Sequence, residues 1–358
     1  MALRKITIHG YKSIENLNNF PLSNLNVLIG SNGAGKSNFI SVFKLLNEIY
    51  EERLQLFVQQ QGGPDSLLHF GREITDSIHV EFYFESNGYN FKLIPTVDNR
   101  LIFENEYLWF EGMYYPASSH LIGFGNGESK LKNSKDSYAP HVRKAIQAWR
   151  VYHFHDTSDT AKVKRKHQVN DNLRLKPDAE NLAAYLRMLA LKHNEEYRRI
   201  VETIQLVLPF FDNFLQRDDD DELIELEWLQ TNRSDTPLKA HLLSDGSLRF
   251  ICLTTLLLQP KDLLPETIII DEPELGLHPY AISVLADIFK QVSEDKQLII
   301  STQSVELINE MESHDIIVVD QTQGKSTFKR FEKEELRDWL EEYSLGELWK
   351  RNILGGRP

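Results

Sequence analysis

The chain has 358 residues, with 40 lysines and arginines against 53 aspartates and glutamates, for a formal net charge of −13. A length above the usual ~100–200 residues per domain indicates one large domain or two interleaved ones, and the acidic balance argues against a surface that coats nucleic acid all over. The single cysteine excludes an internal disulfide framework, and the apolar runs are far too short to span a bilayer, so a soluble cytoplasmic protein with no membrane partner is expected.

The first elements in chain order are two strands and a helix around a glycine-rich turn. Residues 3–9 alternate apolar and polar side chains, which predicts a half-buried strand, and residues 25–29 form a short apolar run typical of a buried strand. After the turn, apolar residues recur at helical spacing from Phe39 to Tyr50. The predicted order is therefore strand, glycine loop and helix.

The sequence pattern changes in the middle of the chain. Residues 78–115 are predicted as an antiparallel meander, because short alternating segments are separated by the turn dipeptides Asn87-Gly88 and Asp98-Asn99. Residues 116–138 are predicted as a long loop, and residues 180–208 as helical with a break near His193-Asn194. The acidic run at 218–221 is predicted as a solvated loop, with Mg²⁺ binding as the minority alternative.

The last third of the chain alternates helices with strands. The predicted helices are 248–259, 280–292 and 305–311, and the predicted strands are 267–271, 297–302 and 316–320. This alternation favours parallel pairing of the strands through right-handed crossovers.

A glycine loop (residues 30–37) fits the phosphate-binding pattern G-x-x-x-x-G-K-S/T in the required context of a strand before and a helix after. Its backbone N–H groups would surround a β-phosphate, Lys36 would reach the β- and γ-phosphates, and Ser37 would bind Mg²⁺. The alternative is a chance match in a surface loop. The predicted nucleotide-binding residues here are Gly30, Ser31, Asn32, Gly33, Ala34, Gly35, Lys36, Ser37 and Asn38.

The apolar strand at 267–271 ends in a pair of acids. Asp271 would lie at the carboxyl edge of a parallel sheet, where it could orient Mg²⁺ opposite Ser37. Glu272 would polarise the attacking water as general base. The alternative is a strand that ends in two solvated acids.

A signature loop (residues 244–247: Ser244, Asp245, Gly246 and Ser247) precedes the first of these C-terminal helices. On its own, Ser-Asp at a helix start is best explained as an N-cap. Its place in the chain, however, resembles the signature loop of the ATP-binding-cassette (ABC) superfamily. Residues 272–279 in turn resemble the D-loop of the RecF/SMC-like branch, and Pro279 suits the first position of the following helix.

Nearly the whole chain resembles the stand-alone RecF/SMC-like predicted ATPases of bacteria, which are related to the ATPase half of the OLD nucleases. The resemblance implies an α/β P-loop NTPase fold of ABC/SMC-RecF type with an inserted antiparallel β-meander and helical subdomain. Residues 1–55 and 240–358 would form the ATPase core and residues 56–239 the insertion. The segments that carry it beyond the nucleotide motifs are 8–14, 154–158, 181–186, 345–349 and 354–358.

This resemblance implies an ATPase that uses ATP and Mg²⁺ and forms a head-to-tail homodimer. Ser244 and Gly246 of one subunit would then act in trans on the γ-phosphate held by the other. The sequence departs from the family twice: Asp245 replaces a usual Gly, and Gln303 stands where the family usually has His. Because an amide cannot shuttle a proton, Gln303 predicts slow hydrolysis.

Three further features leave alternatives open. One of the glutamines 59–61 could sense Mg²⁺ and water, although a polar loop is favoured. His153 and His155 would share one strand face beside Asp156, where a metal pair is the minority interpretation. The basic tract 162–167 could contact a DNA backbone, although a solvated loop is favoured.

Two biological roles fit these motifs. In the first, the chain is the switch subunit of an antiphage or genome-maintenance module and gates a separately encoded nuclease or toxin. In the second, it is a RecF-like DNA-repair ATPase that binds DNA directly. We find no acidic nuclease cluster after the ATPase motifs, so the chain itself is not expected to cut DNA.

Overall fold

The structure is a computed structural model that describes residues 2–112, 115–217, 221–332 and 335–356. The strands in these ranges are β1 Lys5–Tyr11, β2 Ile14–Pro21, β3 Leu25–Ile29, β4 Ile78–Phe84, β5 Asn87–Pro95, β6 Leu101–Gly112, β7 Tyr115–Gly123, β8 Trp149–Tyr152, β9 His167–Gln168, β10 Phe211–Phe214, β11 Leu223–Ile224, β12 Glu227–Gln230, β13 Arg233–Lys239, β14 Thr267–Asp271, β15 Gln297–Thr302, β16 Ile316–Thr322 and β17 Lys325–Arg330. The helices are α1 Lys36–Tyr50, α2 Leu54–Gln60, α3 Ala139–Gln147, α4 Leu182–Lys192, α5 Asn194–Val207, α6 Asp245–Leu258, α7 Pro279–Ser293, α8 Val305–Asn309, α9 Arg337–Leu340 and α10 Leu345–Lys350.

The first of two six-stranded sheets has the order β17-β16-β3-β15-β14-β8. Its strands pair in parallel except β17, which is antiparallel to β16. The predicted parallel α/β core is therefore confirmed. Because the carboxyl ends of the parallel strands share one edge, the loops after β3, β14 and β15 meet there.

The strands of this sheet are buried on both faces, and their residues alternate between two hydrophobic cores. Ile268 and Ile270 belong to the core that contains α4 to α8, whereas Ile269 belongs to the core that contains α1 and the second sheet. All three are at most 1% exposed. At about 1.5–3 kcal/mol for each buried aliphatic side chain, this double burial fixes β14 and therefore Asp271 at its end.

The second sheet is antiparallel, with the order β2-β1-β4-β5-β6-β7. The predicted meander is present, but the prediction of a turn at Asn87-Gly88 is wrong, because β5 already begins at Asn87. The two-residue turn is Glu85-Ser86, with Glu85 at φ 47°. The predicted loop at 116–138 is also wrong in its first part, because β7 pairs with β6 there. Ser118, Ser119 and His120 at its centre suit an edge strand, whose alternation is weak in the sequence.

The helical pair predicted at 180–208 is confirmed, with α4 ending and α5 beginning on either side of His193. The proposed division into a core and an insertion stays a prediction. Two pairings cross it, since β1 pairs with β4, and β8 lies in the core sheet beside β14. A four-residue strand that pairs with a partner more than 100 residues away leaves no periodic signal of its own.

No helix among the residues that the structure describes is long and apolar enough to cross a bilayer.

Candidate functional site

The glycine loop connects β3 to α1, as its sequence predicts. Gly35 is the N-cap of α1 at φ 117°, and a Cβ there would lie 2.1 Å from Ser326 Oγ. A Cβ at Gly30 would lie 2.2 Å from the Val319 carbonyl oxygen. Glycine is therefore required at both positions, and the loop leads into a helix N-terminus, where backbone N–H groups favour phosphate.

Lys36 is 5% exposed and lies inside this loop. Its Nζ donates to the carbonyl oxygens of Gly30 at 2.6 Å and Ser31 at 3.1 Å. Burial lowers the pKa of Lys36, and the negative charges of Glu272, Asp271 and Glu274 oppose that shift. The fold therefore places the predicted lysine within electrostatic range of the predicted acids.

The acids come from the loop that follows β14. The Ser301 hydroxyl donates to the Asp271 carboxylate, and the Glu272 N–H donates to the Ser301 carbonyl at 2.9 Å. Glu272 has φ 46°, a left-handed conformation that non-glycine residues adopt rarely and often at functional sites. Gln303 Nε2 donates to Glu272 Oε1 at 2.5 Å, which brings together two of the predicted catalytic residues.

Glu274 was not predicted as a site residue. Its Oε1 accepts from Thr302 Oγ1 at 2.6 Å and from the Gln303 N–H at 2.9 Å, so it fixes the backbone that carries Gln303. Burial raises the pKa of Glu274. Its second oxygen is buried with no hydrogen-bond partner among the described residues. The only sequence signal was its place two residues after Glu272, within a segment interpreted as the D-loop.

The chemistry of the donor set fits Mg²⁺. Ser37 is exposed on the first turn of α1, and Asp271 ends the strand β14. Hydroxyl and carboxylate oxygens are donors that Mg²⁺ accepts when phosphates and water complete its shell. Among the residues the structure covers, no group of three or more His, Cys, Asp or Glu side chains could hold a metal alone.

The signature loop forms the start of α6, which begins at Asp245, three residues earlier than predicted. The Ser244 hydroxyl caps this helix and accepts from the Ser247 N–H at 3.2 Å. Ser244 and Asp245 are exposed, and a Cβ at Gly246 would lie 2.2 Å from the Gly276 carbonyl oxygen. The signature loop therefore packs directly on the loop that carries Glu272.

Arg249 is a second residue whose role the sequence did not predict. It is 5% exposed, and its guanidinium donates to the carbonyl oxygens of Phe154 at 2.9 Å and His155 at 3.2 Å. These bonds tie α6 to the segment that follows β8. Arg249 belongs to the Leu-Ser-Asp-Gly-Ser-Leu-Arg run, but nothing local indicates which distant carbonyl groups it contacts.

The histidines do not share a strand, because β8 ends at Tyr152. The ring centroids of His153 and His155 are 6.4 Å apart, and burial together with the nearby Lys44 charge lowers the pKa of His153 to about 4. The Asp156 carboxylate accepts from Ser158. Thus the part of the chain that the structure describes does not assemble a metal site around this pair.

The polar glutamine run is not a loop, because α2 extends through Gln60. Gln61 Oε1 accepts a long hydrogen bond from Lys12 Nζ at 3.4 Å. A cavity of about 520 Å³ borders Gln60, Lys44 and His153. Which glutamine senses Mg²⁺ and water, if any, stays a prediction.

Three lysines of the basic tract have partners inside the chain. Lys162 Nζ pairs with Asp178 at 2.9 Å and Glu180 at 3.0 Å, and the buried Lys164 donates to the Thr157 carbonyl at 2.6 Å. Lys166 lies 3.9 Å from Glu225. In the acidic run, Asp218, Asp219 and Asp220 lie outside the described residues, as do Arg357 and Pro358 of the tail.

The chain is similar to a known protein family in sequence and to solved structures in fold. A family model described as "AAA domain, putative AbiEii toxin, Type IV TA system" matches residues 25–309, well over half of the chain. No curated protein matches the sequence.

Two solved structures of SMC heads are similar in fold. A crystal structure of an SMC head bound to the C-winged helix domain of ScpA has a TM-score of 0.63 at 15% identity, covering 94% of this chain and 100% of that chain. An SMC head with an extended coiled coil, bound to the C-terminal domain of ScpA derived from Pyrococcus furiosus, has a TM-score of 0.58 at 15% identity, covering 95% and 98%. The predicted ABC/SMC-type P-loop fold is confirmed, whereas the relation to the OLD nucleases stays a prediction.

Proposed function

Because the chain belongs to the family of AAA domains described as putative AbiEii toxins of type IV toxin–antitoxin systems, we propose that it is a Mg²⁺-dependent ATPase that acts as a molecular switch. The observation that carries this proposal is the hydrogen bond from Gln303 to Glu272, in a cluster whose charges also act on Lys36. A phosphate-binding loop and a held carboxylate at one sheet edge are the parts that phosphoryl transfer to water needs.

In this proposal each residue has one task. The glycine loop and the N-terminus of α1 bind the β-phosphate, and Lys36 exchanges its two carbonyl partners for phosphate oxygens. Glu272 accepts a proton from the attacking water, while Gln303 holds the carboxylate in place. Gln303 can donate a hydrogen bond but cannot take up a proton, so turnover is slow.

Ser37 and Asp271 would hold Mg²⁺. The ion would supply charge neutralisation at the β- and γ-phosphate oxygens.

Self-association is supported by the surface around the signature loop. Leu242, Leu275 and Tyr280 are 66%, 49% and 52% exposed, and they lie in the segments next to Ser244 and Gly276. Exposed apolar side chains close together are typical of a protein-binding surface. We infer that a second copy of the chain covers them and brings its signature loop to the nucleotide.

The output of the switch is a partner protein. The family description calls related AAA domains putative toxins of type IV toxin–antitoxin systems, which supports a system with a second, separately encoded component. The basic tract gives little support to direct DNA binding, because Lys162 is paired with two acids and Lys164 is buried.

The proposed ATPase activity is tested by measuring phosphate release from ATP by the purified chain. We expect slow release that requires Mg²⁺ and is lost in Lys36→Ala, while Lys290→Ala, at an exposed position on α7, keeps the wild-type rate. Equal rates in both variants would contradict the assignment.

The switch is tested with Glu272→Gln in saturating ATP or ADP with Mg²⁺. Light scattering of the protein alone reports its oligomeric state, and the same measurement with the co-expressed product of the neighbouring gene reports effector binding. We expect a dimer in ATP and a monomer in ADP, and effector binding that differs between the two. A protein that is monomeric in both nucleotides would overturn the dimer proposal.

A further inference from the structure

Phe70 is an exposed aromatic residue with a strained backbone conformation. It is 57% exposed, and its φ of 57° places it in the left-handed region, where a bulky side chain is a true outlier. Such strain persists only where the surroundings impose it, and it concentrates at ligand sites. Neither the predicted catalytic residues nor the dimer surface uses this side chain.

Two neighbours, Gly324 and His69, pack against the Phe70 ring. A Cβ at Gly324 would lie 2.5 Å from Phe70 Cζ, so the ring rests against that glycine. The His69 ring lies 4.2 Å from it, between centroids. His69 is 1% exposed; its Nδ1 is 2.6 Å from the Lys12 carbonyl oxygen, and its Nε2 is buried without a partner among the described residues.

This cluster adjoins the glycine loop. Ser326 lies two residues beyond Gly324, which is about 7 Å along a strand, and its Oγ donates to the Ala34 carbonyl at 2.6 Å. The Ser326 N–H also donates to the Ser13 carbonyl at 2.8 Å. Phe70 is thus joined to the phosphate-binding loop through one short hairpin, β16–β17.

The sheet order gives the direction of a bound nucleotide. Glu272 and Gln303 follow β14 and β15, on one side of β3, whereas the β16–β17 hairpin lies on its other side. A triphosphate held by the loop after β3 with its γ-phosphate toward Glu272 would extend its nucleoside toward the hairpin. Phe70 contacts Gly324 at the turn of that hairpin, so its exposed ring lies on that side of β3.

We propose that Phe70 is the stacking platform for the base of the nucleoside triphosphate held by the glycine loop. This inference rests on the proposed function, since it needs nucleotide binding at that loop. Stacking uses the π-face that every base presents, so it gives affinity without strict base identity. Binding should therefore favour purine over pyrimidine triphosphates, with ATP and GTP close to each other.

The test compares ATP with inorganic tripolyphosphate, which has the phosphates but no base. In Phe70→Ala we expect ATP affinity to fall about tenfold, within the roughly 5- to 150-fold range of one stacked base, and tripolyphosphate affinity to stay at the wild-type value. Phe70→Trp should keep the affinity for ATP. The matched control is Phe124→Ala, another exposed phenylalanine at 74% exposure, which should change neither.

The outcomes separate this inference from the function on which it rests. Unchanged ATP affinity in Phe70→Ala overturns the stacking platform while leaving the ATPase proposal intact, and so does an equal loss for ATP and tripolyphosphate. Wild-type protein that binds neither ligand overturns the nucleotide site itself. Thermal melting of Phe70→Ala at the wild-type temperature confirms that the loss is local.

Discussion

In the proposed dimer, the glycine loop and the signature loop would each form one half of a nucleotide site, and we call them the glycine-loop half-site and the signature half-site. They differ in how far the chain itself completes them. Around the glycine loop, Lys36 is buried, and Glu272 and Gln303 are joined by a hydrogen bond. At the signature loop, Ser244 and Asp245 are exposed, and the Ser244 hydroxyl bonds only within α6 among the described residues. The first half-site is assembled in one chain, whereas the second presents a capped helix start to whatever binds it.

This difference indicates which parts of the proposed site would act within one chain. Charged catalytic groups need fixed positions in a partly buried setting, because their electrostatic effect is strongest there. A helix N-terminus needs only exposure to bind an anion, so it can be offered to another molecule. The following experiments test that division of labour, beginning with the largest expected effect.

Glu272→Gln removes the proton acceptor and keeps the side-chain shape. We expect the hydrolysis rate to fall about 10³-fold, within the range for loss of a general base, with ATP still bound. Phosphate release and nucleotide binding are measured on the same preparation. Glu310→Gln serves as the control, and a rate that falls less than tenfold in Glu272→Gln would remove Glu272 from the catalytic role.

Mixing two inactive variants separates cis from trans. Lys36→Ala damages only the glycine-loop half-site and Ser244→Arg only the signature half-site, and each alone should lose about 10²-fold in rate. A head-to-tail heterodimer of the two contains one intact composite site, so the mixture should regain activity. If the mixture stays as inactive as its components, the signature loop does not act on a partner's nucleotide.

Gly246→Ala tests the contact between the signature loop and the loop of Glu272. The new Cβ would lie 2.2 Å from the Gly276 carbonyl oxygen, so the two backbones must separate. We expect the free energy of unfolding to fall by about 1–3 kcal/mol, as for other overpacked sites. Gly127→Ala, where the nearest atom is 3.9 Å away, should show little change in the same urea titration.

Gln303→His should produce the smallest effect, an increase in rate. Imidazole can pass a proton where the amide cannot, and we expect about a tenfold gain, below the full value of general acid–base catalysis. Phosphate release at pH 7 to 8 measures it. Turnover no faster than wild type would show that Gln303 does not limit the rate.

The positions of the glycine loop between β3 and α1 and of Asp271 at the end of β14 were predictable because the signals are local. A phosphate-binding loop needs glycines and a lysine at fixed spacing, and a doubly buried strand is a continuous apolar run such as Ile268 to Ile270. The hydrogen bonds that hold these residues were not predictable. Ser301 to Asp271 and Glu274 to Thr302 join positions about 30 residues apart in sequence, with no periodic pattern to indicate them.

The errors in the predicted secondary structure have a related cause. Asn87-Gly88 is a strong turn dipeptide, yet pairing of β5 with both β4 and β6 places it inside a strand and moves the turn to Glu85. Likewise β7 and β8 exist because neighbouring strands offer them partners. Local propensity was overridden by tertiary pairing in each case.

The contact between Gly246 and Gly276 also bears on cooperativity. Gly276 lies four residues after Glu272, and the signature loop that it touches would face the nucleotide of the other subunit. In such a dimer, a shift of the signature loop on the phosphate held by the other subunit would also move the loop that carries the subunit's own Glu272. Since coupling between binding sites is reciprocal, ATP saturation of the dimer should be steeper than a single-site curve, with a Hill coefficient between 1 and about 2.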